Sequence, residues 1–386
     1  MAGRTVLILG GGFGGLATAQ HIRRLLPREH RIVVVERRSS FYMCAFNMHL
    51  IAGEIKDSRE GERELSELPQ KGIEWVQGEI LEIDPKGKKV RTSTGTLEGD
   101  YLIVALGAEK TPQSMPGFAE SAHNFYEVDG AIKLNKAMED FESGRIIVLV
   151  CSTPFSCPAA PCEVAFLFDS VLRRNGKRQS AEIAIYTPEV RPLPAAGADV
   201  GSAILNMLKE KDIRYYPQHK VKKVDSGARK LIFDGAEASF DLLVGVPPHT
   251  APQVVKTAGL TDETGWVPVD LRNLETPYPG VFAIGDITSI KQPNPTGLPL
   301  PKAWVFAEEQ GHVVAENVSS RISGGAGSKQ FDGKGFCYLE AGNGTAAYGS
   351  GDFYAYPTPR VYLEPPSQRL HKERRELEQD KLKTLV

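Results

Sequence analysis

The run "CSTPFSCPAAPCE" concentrates reactive side chains: Cys151, Cys157, Cys162 and Glu163. A thiolate is a strong nucleophile toward sulfur, and two thiols together can store two electrons as a disulfide. Cys337 lies far downstream in "FDGKGFCYLEAGNG", with no other cysteine near it in the sequence. Cys157 stands just before a predicted helix. The partial positive charge at a helix N-terminus favours thiolate over thiol, so its pKa is expected to fall. Glu163 falls in the first helical turn, where it is placed to shuttle protons or simply to complement the helix dipole.

The elements around these residues form a strand, a loop and a helix. "RIIVLV" (145–150) reads as a buried strand, 161–174 as a helix, and "AEIAIYTPE" (181–189) as a second strand. Val164, Phe168 and Val171 share one helical face, and Arg173, Arg174 and Gly176 are stop signals. Glu189 stands where a ribose-binding acid would be in a nucleotide-binding half. The connecting loop "CSTPFSCPA" nevertheless holds no glycine. Side chains and prolines there obstruct a pyrophosphate, so this half is expected to have lost effective NAD(P)H binding.

A complete nucleotide turn opens the chain. "TVLILGGGFGGLATAQ" runs strand, turn, helix, with Gly10, Gly12 and Gly15 in the G-x-G-x-x-G pattern. The glycines allow a tight turn and close approach of phosphate to the helix N-terminus. Glu36 ends the next strand, "RIVVVE", at the offset expected for a ribose 2′-hydroxyl partner. "DYLIVALGAEKTP", with Gly107, and "TPYPGVFAIGDIT", with Gly285 and Asp286, resemble the second and third signatures of two-dinucleotide flavoproteins. That resemblance implies FAD, with Asp286 at its ribityl and phosphate region. Pro299 and Pro301 then precede an amphipathic helix, with Lys302 at its expected start. A helix aimed at a flavin stabilises the negative charge of the reduced ring, and Lys302 is either an added positive charge there or a solvated lysine.

These segments give an α/β protein with two Rossmann-like domains of the glutathione-reductase type and a small C-terminal α+β segment. The expected divisions are 1–112 with 270–325 for the FAD domain, 113–269 for the degenerate second domain, and 326–386 for the C-terminal segment. A length of 386 residues suits two or three domains. The net charge of −2 gives no reason to expect nucleic acid, and no apolar run reaches the roughly 18 residues of a membrane span. The first strand starts at once, so no signal peptide is expected and the chain reads as cytoplasmic, with peripheral contact on the cytoplasmic face of a membrane as a further expectation. In a reducing compartment the five cysteines point to redox chemistry rather than structural disulfides. Leu370, Leu377 and Leu382 give the last helix only a thin apolar face, which suggests a solvated or dimer-packing helix in a homo-oligomer. Phe353, Tyr354 and Tyr356 are candidates for membrane contact, a quinone pocket or core.

Taken together, the FAD segments, "PFSCPAAPCE" and "GFCYLEAGNG" resemble the sulfide:quinone oxidoreductase and flavocytochrome c sulfide dehydrogenase family. The resemblance covers nearly the whole chain. It implies that Cys157 and Cys337 are a redox pair flanking the flavin, with Glu163 the nearby acid, and that a small sulfur compound is the substrate and a quinone the acceptor. Cys162 stands where the family pattern has tyrosine. Tyr42-Met43-Cys44 with Asn47 is similar to the run that attaches FAD covalently in the flavocytochrome branch, which makes Cys44 a candidate attachment point; the other reading is a small buried hydrophobe. Cys157 and Cys162 also have C-x4-C spacing, ranked below the Cys157–Cys337 pairing. His123 and His249 do not stand in the contexts of the family's acceptor-site histidines. The competing functions are an NAD(P)H-dependent flavin reductase acting on a quinone or disulfide, and a flavoprotein subunit that feeds a cytochrome.

Overall fold

The computed structural model describes residues 3–386. The first sheet begins with β1 (Thr5–Leu9), β2 (Arg31–Glu36), β3 (Glu74–Gln77) and β4 (Tyr101–Val104). The chain then builds a second sheet from β5 (Ala122–Asn124), β6 (Gly144–Val150), β7 (Ala181–Tyr186), β8 (Ile213–Tyr216) and β9 (Leu242–Val246). It returns to the first sheet with β10 (Val281–Ala283). The orders are β10-β4-β1-β2-β3 and β5-β9-β6-β7-β8, and every pairing within them is parallel. Helices cover both faces of such sheets, which is why "VLIL", "IVVV" and "IIVLV" are unbroken apolar runs rather than alternating ones.

The central strand of each sheet feeds a helix. β1 leads into α1 (Phe13–Leu25), and β6 leads, after a longer loop, into α3 (Ala160–Arg174). Between β2 and β3 lies the short helix α2 (Phe46–Ala52). After β10 comes α4 (Trp304–Ile322), packed along α1. The last part is an antiparallel sheet of β11 (Lys334–Gly342), β12 (Thr345–Asp352) and β13 (Arg360–Ser367), followed by α5 (Gln368–Thr384). This is the expected α/β fold with two parallel sheets and an α+β C-terminal segment.

The C-terminal helix corrects one expectation. α5 is not a helix with only a thin buried face. Leu370, Arg374, Glu378 and Leu382 are buried against the same chain, on the face that also touches β11 and β12. Two of those four are charged, so apolar periodicity understated the buried face. The aromatics of the segment also divide. Phe353 is core, edge-on to Phe306 at 5.1 Å, and Tyr354 packs edge-on to Phe331 at 5.6 Å. Tyr356 is 77% exposed. None of the three lines the large cavity described next.

Candidate active site

A cavity of about 740 Å3 runs from the β1–α1 turn to the C-terminal segment. Gly10, Gly12, Glu36, Cys44, Gly107, Gly285, Asp286, Lys302, Cys157, Glu163 and Cys337 all line it. Gly15 does not line it; it serves the turn from behind. A Cβ at Gly15 would stand 2.0 Å from the Gly10 carbonyl oxygen, so only glycine lets α1 pass that close to the turn. Gly12 caps α1 with no side-chain partner, leaving the first N–H groups of the helix turned toward the cavity. Glu36 is fixed by the Gly11 N–H, which donates to its Oε2 at 2.9 Å, and by the Arg38 N–H, which donates to Oε1 at 3.0 Å. α4 likewise starts without a side-chain cap, and Ala303, Trp304 and Val305 at its start form another wall. The shape, the uncapped helix ends and the acid fit an extended dinucleotide such as FAD.

Lys302 is not at the helix start and not solvated. α4 begins at Trp304, and the Lys302 ammonium is buried, 3.7 Å from the centre of the Trp266 ring. It donates to the Asp286 carbonyl at 2.5 Å and the Thr288 carbonyl at 3.0 Å. Burial lowers its pKa to about 8, against the opposing pull of Asp286. Lys302 therefore ties together the backbone that presents Asp286.

The cysteine loop hangs from that same backbone. The Cys157 N–H donates to the Lys302 carbonyl at 2.6 Å. The Ser156 hydroxyl donates to Asp286 Oδ2 at 2.5 Å, and the Tyr126 hydroxyl donates to the Ser156 carbonyl at 2.7 Å. Cys157 itself has φ of 49°, the left-handed region that a β-carbon disfavours. The fasteners on both sides hold a strained residue with its thiol at the cavity, a pattern typical of functional positions. Cys337 reaches the same cavity from β11, opposite Gly349 of β12. Both thiols are free. Cys151 and Cys162 are buried core residues away from the cavity wall.

Burial overturns the expected pKa of Cys157. The helix begins at Ala160, three residues on, and its dipole does not control the thiol. Desolvation, then the Glu163 carboxyl at 3.9 Å from Sγ and the neighbouring Cys337, push the Cys157 thiol well above its usual value. Cys337 is pushed up to about 12, by burial first and Glu163 second. Glu163 is also raised by burial, against the pull of Arg374. The cavity wall thus favours neutral, protonated groups around the two sulfurs.

Among the residues that sequence reasoning passed over, Arg374 and Glu378 line the cavity, and Glu340, His49 and Glu54 stand behind them. Arg374 Nη1 donates to Glu163 Oε1 at 2.8 Å, and its Nε donates to Glu378 Oε1 at 2.8 Å. The Glu340 N–H donates to Glu163 Oε1 at 2.9 Å. His49 Nε2 lies 2.7 Å from Glu378 Oε2, and its Nδ1 lies 2.8 Å from Glu54 Oε2. The signal that was available is the row Leu370, Arg374, Glu378 and Leu382: charges four apart on the line that also carries the buried leucines. Cys44 sits just ahead of α2 with its side chain open to the cavity rather than buried, beside Tyr42, whose hydroxyl donates to Asn47 Oδ1 at 2.7 Å.

Known proteins share this fold. A family model described as pyridine nucleotide-disulphide oxidoreductase matches residues 4–311. The mitochondrial sulfide:quinone oxidoreductase of Mus musculus is 26% identical over 384 residues, covering 95% of this chain and 82% of that protein. The type II NADH:quinone oxidoreductase of Staphylococcus aureus is 22% identical over 348 residues, covering 85% of each. Among solved structures, the sulfide:quinone oxidoreductase of Aquifex aeolicus superposes with a TM-score of 0.89 at 23% identity, covering 99% of this chain and 91% of that one. The chain belongs to the pyridine nucleotide-disulphide oxidoreductase family and is an FAD-dependent oxidoreductase similar to the sulfide:quinone oxidoreductases.

Proposed function

We infer that the protein oxidises sulfide, or a related small sulfur compound, at Cys157 and Cys337 and passes the electrons through FAD to a quinone. One observation carries this reading: two free thiols from distant parts of the chain, one of them conformationally strained, share a wall with Glu163 in the cavity that fits the dinucleotide. FAD bound there supplies a two-electron acceptor next to the sulfurs and a donor to the quinone.

The residues divide the remaining work. In the oxidised pair, hydrosulfide attacks one sulfur of the Cys157–Cys337 disulfide. An S–S bond to substrate forms as the cysteine–cysteine bond breaks, leaving a persulfide on one residue and a thiolate on the other. Glu163 holds or takes the proton at the Cys157 sulfur, and Arg374 positions Glu163. Cys44, which lines the cavity, is the candidate for covalent attachment of FAD, and acid precipitation tests this directly: yellow colour in the pellet means attachment. Among the described residues no helix is long and apolar enough to cross a membrane.

The test is an anaerobic titration of the purified protein with sulfide, following flavin absorbance. Bleaching or a long-wavelength charge-transfer band is expected. The second reading, reduction by NAD(P)H, draws on the Staphylococcus relative but is opposed by the glycine-free loop after β6. Bleaching by NADH or NADPH with no response to sulfide would replace the first reading with the second.

A further inference from the structure

A guanidinium offers five N–H groups on three nitrogens held in one plane. Two nitrogens of Arg374 are spent. Nε donates to Glu378 Oε1 at 2.8 Å, and Nη1 donates to Glu163 Oε1 at 2.8 Å, with Glu340 Oε2 at 3.5 Å. Nη2 meets no acceptor among the described residues. It is not sealed in the core, where an unmet donor is costly: the side chain is 5% exposed and lines the cavity, so the free N–H groups open on it. The carboxylates fix the plane of the fork and with it the direction of Nη2. His49 and His371 share two of them, at 2.7 Å from Glu378 and 3.0 Å from Glu340, which lessens their hold on the guanidinium.

We propose that Arg374 is a catalytic residue whose Nη2 holds the sulfur anion released when the Cys157–Cys337 bond is opened. The identity of that anion rests on the function proposed above; the free donor rests on the structure alone. Hydrosulfide gives an electron pair to one cysteine sulfur, and the S–S pair leaves on the other as a thiolate. The substrate's proton stays on the new persulfide, and its negative charge ends on the departing cysteine. That thiolate is a costly product here. Burial first and Glu163 second push both thiols up, and Arg374 is the group that pulls both back. The other cations of the wall are engaged elsewhere. Lys302 donates to two carbonyls and lies against Trp266, Lys110 lies 3.8 Å from Glu127, and Arg37 and Arg38 follow Glu36, which is bonded to the β1–α1 turn. A donor already aimed at the place where charge develops is an effective form of electrostatic catalysis.

The test uses the flavin-loaded protein with its thiols reduced, and the variants Arg374→Gln and Arg374→Lys. Alkylation by neutral iodoacetamide is read at Cys157 and Cys337 by peptide mass spectrometry. It should slow at least about 10-fold in Arg374→Gln and recover in part in Arg374→Lys, because only thiolate reacts. A purely structural role gives the opposite sign, since a loosened wall exposes the sulfurs and speeds alkylation. Equal or faster alkylation in Arg374→Gln therefore overturns the proposal. If that variant does not fold, the wild type decides: azide, a small anion that competes for Nη2, should slow alkylation, and an equal rate with and without azide overturns the proposal. Flavin reduction by saturating sulfide should fall at least about 100-fold in Arg374→Gln. Slowed alkylation in a protein whose flavin ignores sulfide upholds the anion site and removes only the functional reading. Sulfide bleaching with alkylation unchanged does the reverse.

Discussion

The β1–α1 and β6–α3 connections start from the same plan and end in opposite chemistry. Each leaves the middle of a parallel sheet and enters a helix. The first is short and built of glycines, so backbone N–H groups face the ligand. The second is long, holds prolines and cysteines, and sends a side chain out instead. Its backbone N–H and hydroxyl groups are spent on Lys302 and Asp286 of the first sheet's return segment rather than on phosphate. The difference teaches that packing and loop chemistry are separable: the strand and the helix stay, and only the loop between them is rebuilt.

Five substitutions would break or sharpen that contrast. Arg374→Met should have the largest effect on stability. It leaves buried Glu163 without its cation and Glu340 and Glu378 with a histidine each, an expected loss of about 3–5 kcal/mol readable by denaturant unfolding. The same network sets a pH window. Burial pushes Glu378 up, but Arg374 and His49 hold it down at about 2, below its ordinary 4.5. Its contribution is thus present above about 4.5 and is lost as pH falls toward 2. The raised His49 acts in the other direction: its contribution is complete below its ordinary 6.5 and fades as pH rises through the raised value. The docking of α5 should therefore weaken at both extremes, which hydrogen exchange of its amides against pH would follow.

Cys157→Ser and Cys337→Ser should each lower sulfide-driven flavin reduction by at least about 10^3-fold while FAD stays bound. Full activity in either would end the pairing. Gly15→Ala tests the other loop. The new Cβ meets the Gly10 carbonyl, so a loss of roughly 1–3 kcal/mol and poor FAD retention are expected in thermal unfolding and absorbance. Ser156→Ala is the mildest. It removes one hydrogen bond to Asp286, worth about 1–2 kcal/mol, and should slow sulfide reduction several-fold with FAD binding nearly intact.

Much of this molecule was legible in its sequence because the signals were local. Gly10, Gly12 and Gly15 announce a turn, unbroken apolar runs announce buried parallel strands, and the missing glycines after β6 announce a changed loop. What sequence did not disclose depends on contacts between distant segments. Burial against Glu163 and Cys337 reverses the expected effect of the helix on Cys157. Lys302 turns inward because Trp266 and two carbonyls, none of them its sequence neighbours, receive it. The last helix hides charges, and a hydrophobic count treats charges as surface.

The fastening of Ser156 and Cys157 to Asp286 and Lys302 has a mechanical consequence. The loop behaves as a strut between the two sheets. Any hinge that swings one sheet away from the other pulls on that strut and withdraws the sulfur from the cavity. Opening at this seam has to break those hydrogen bonds first, so the same contacts that hold the sulfur at the cavity also oppose separation of the sheets.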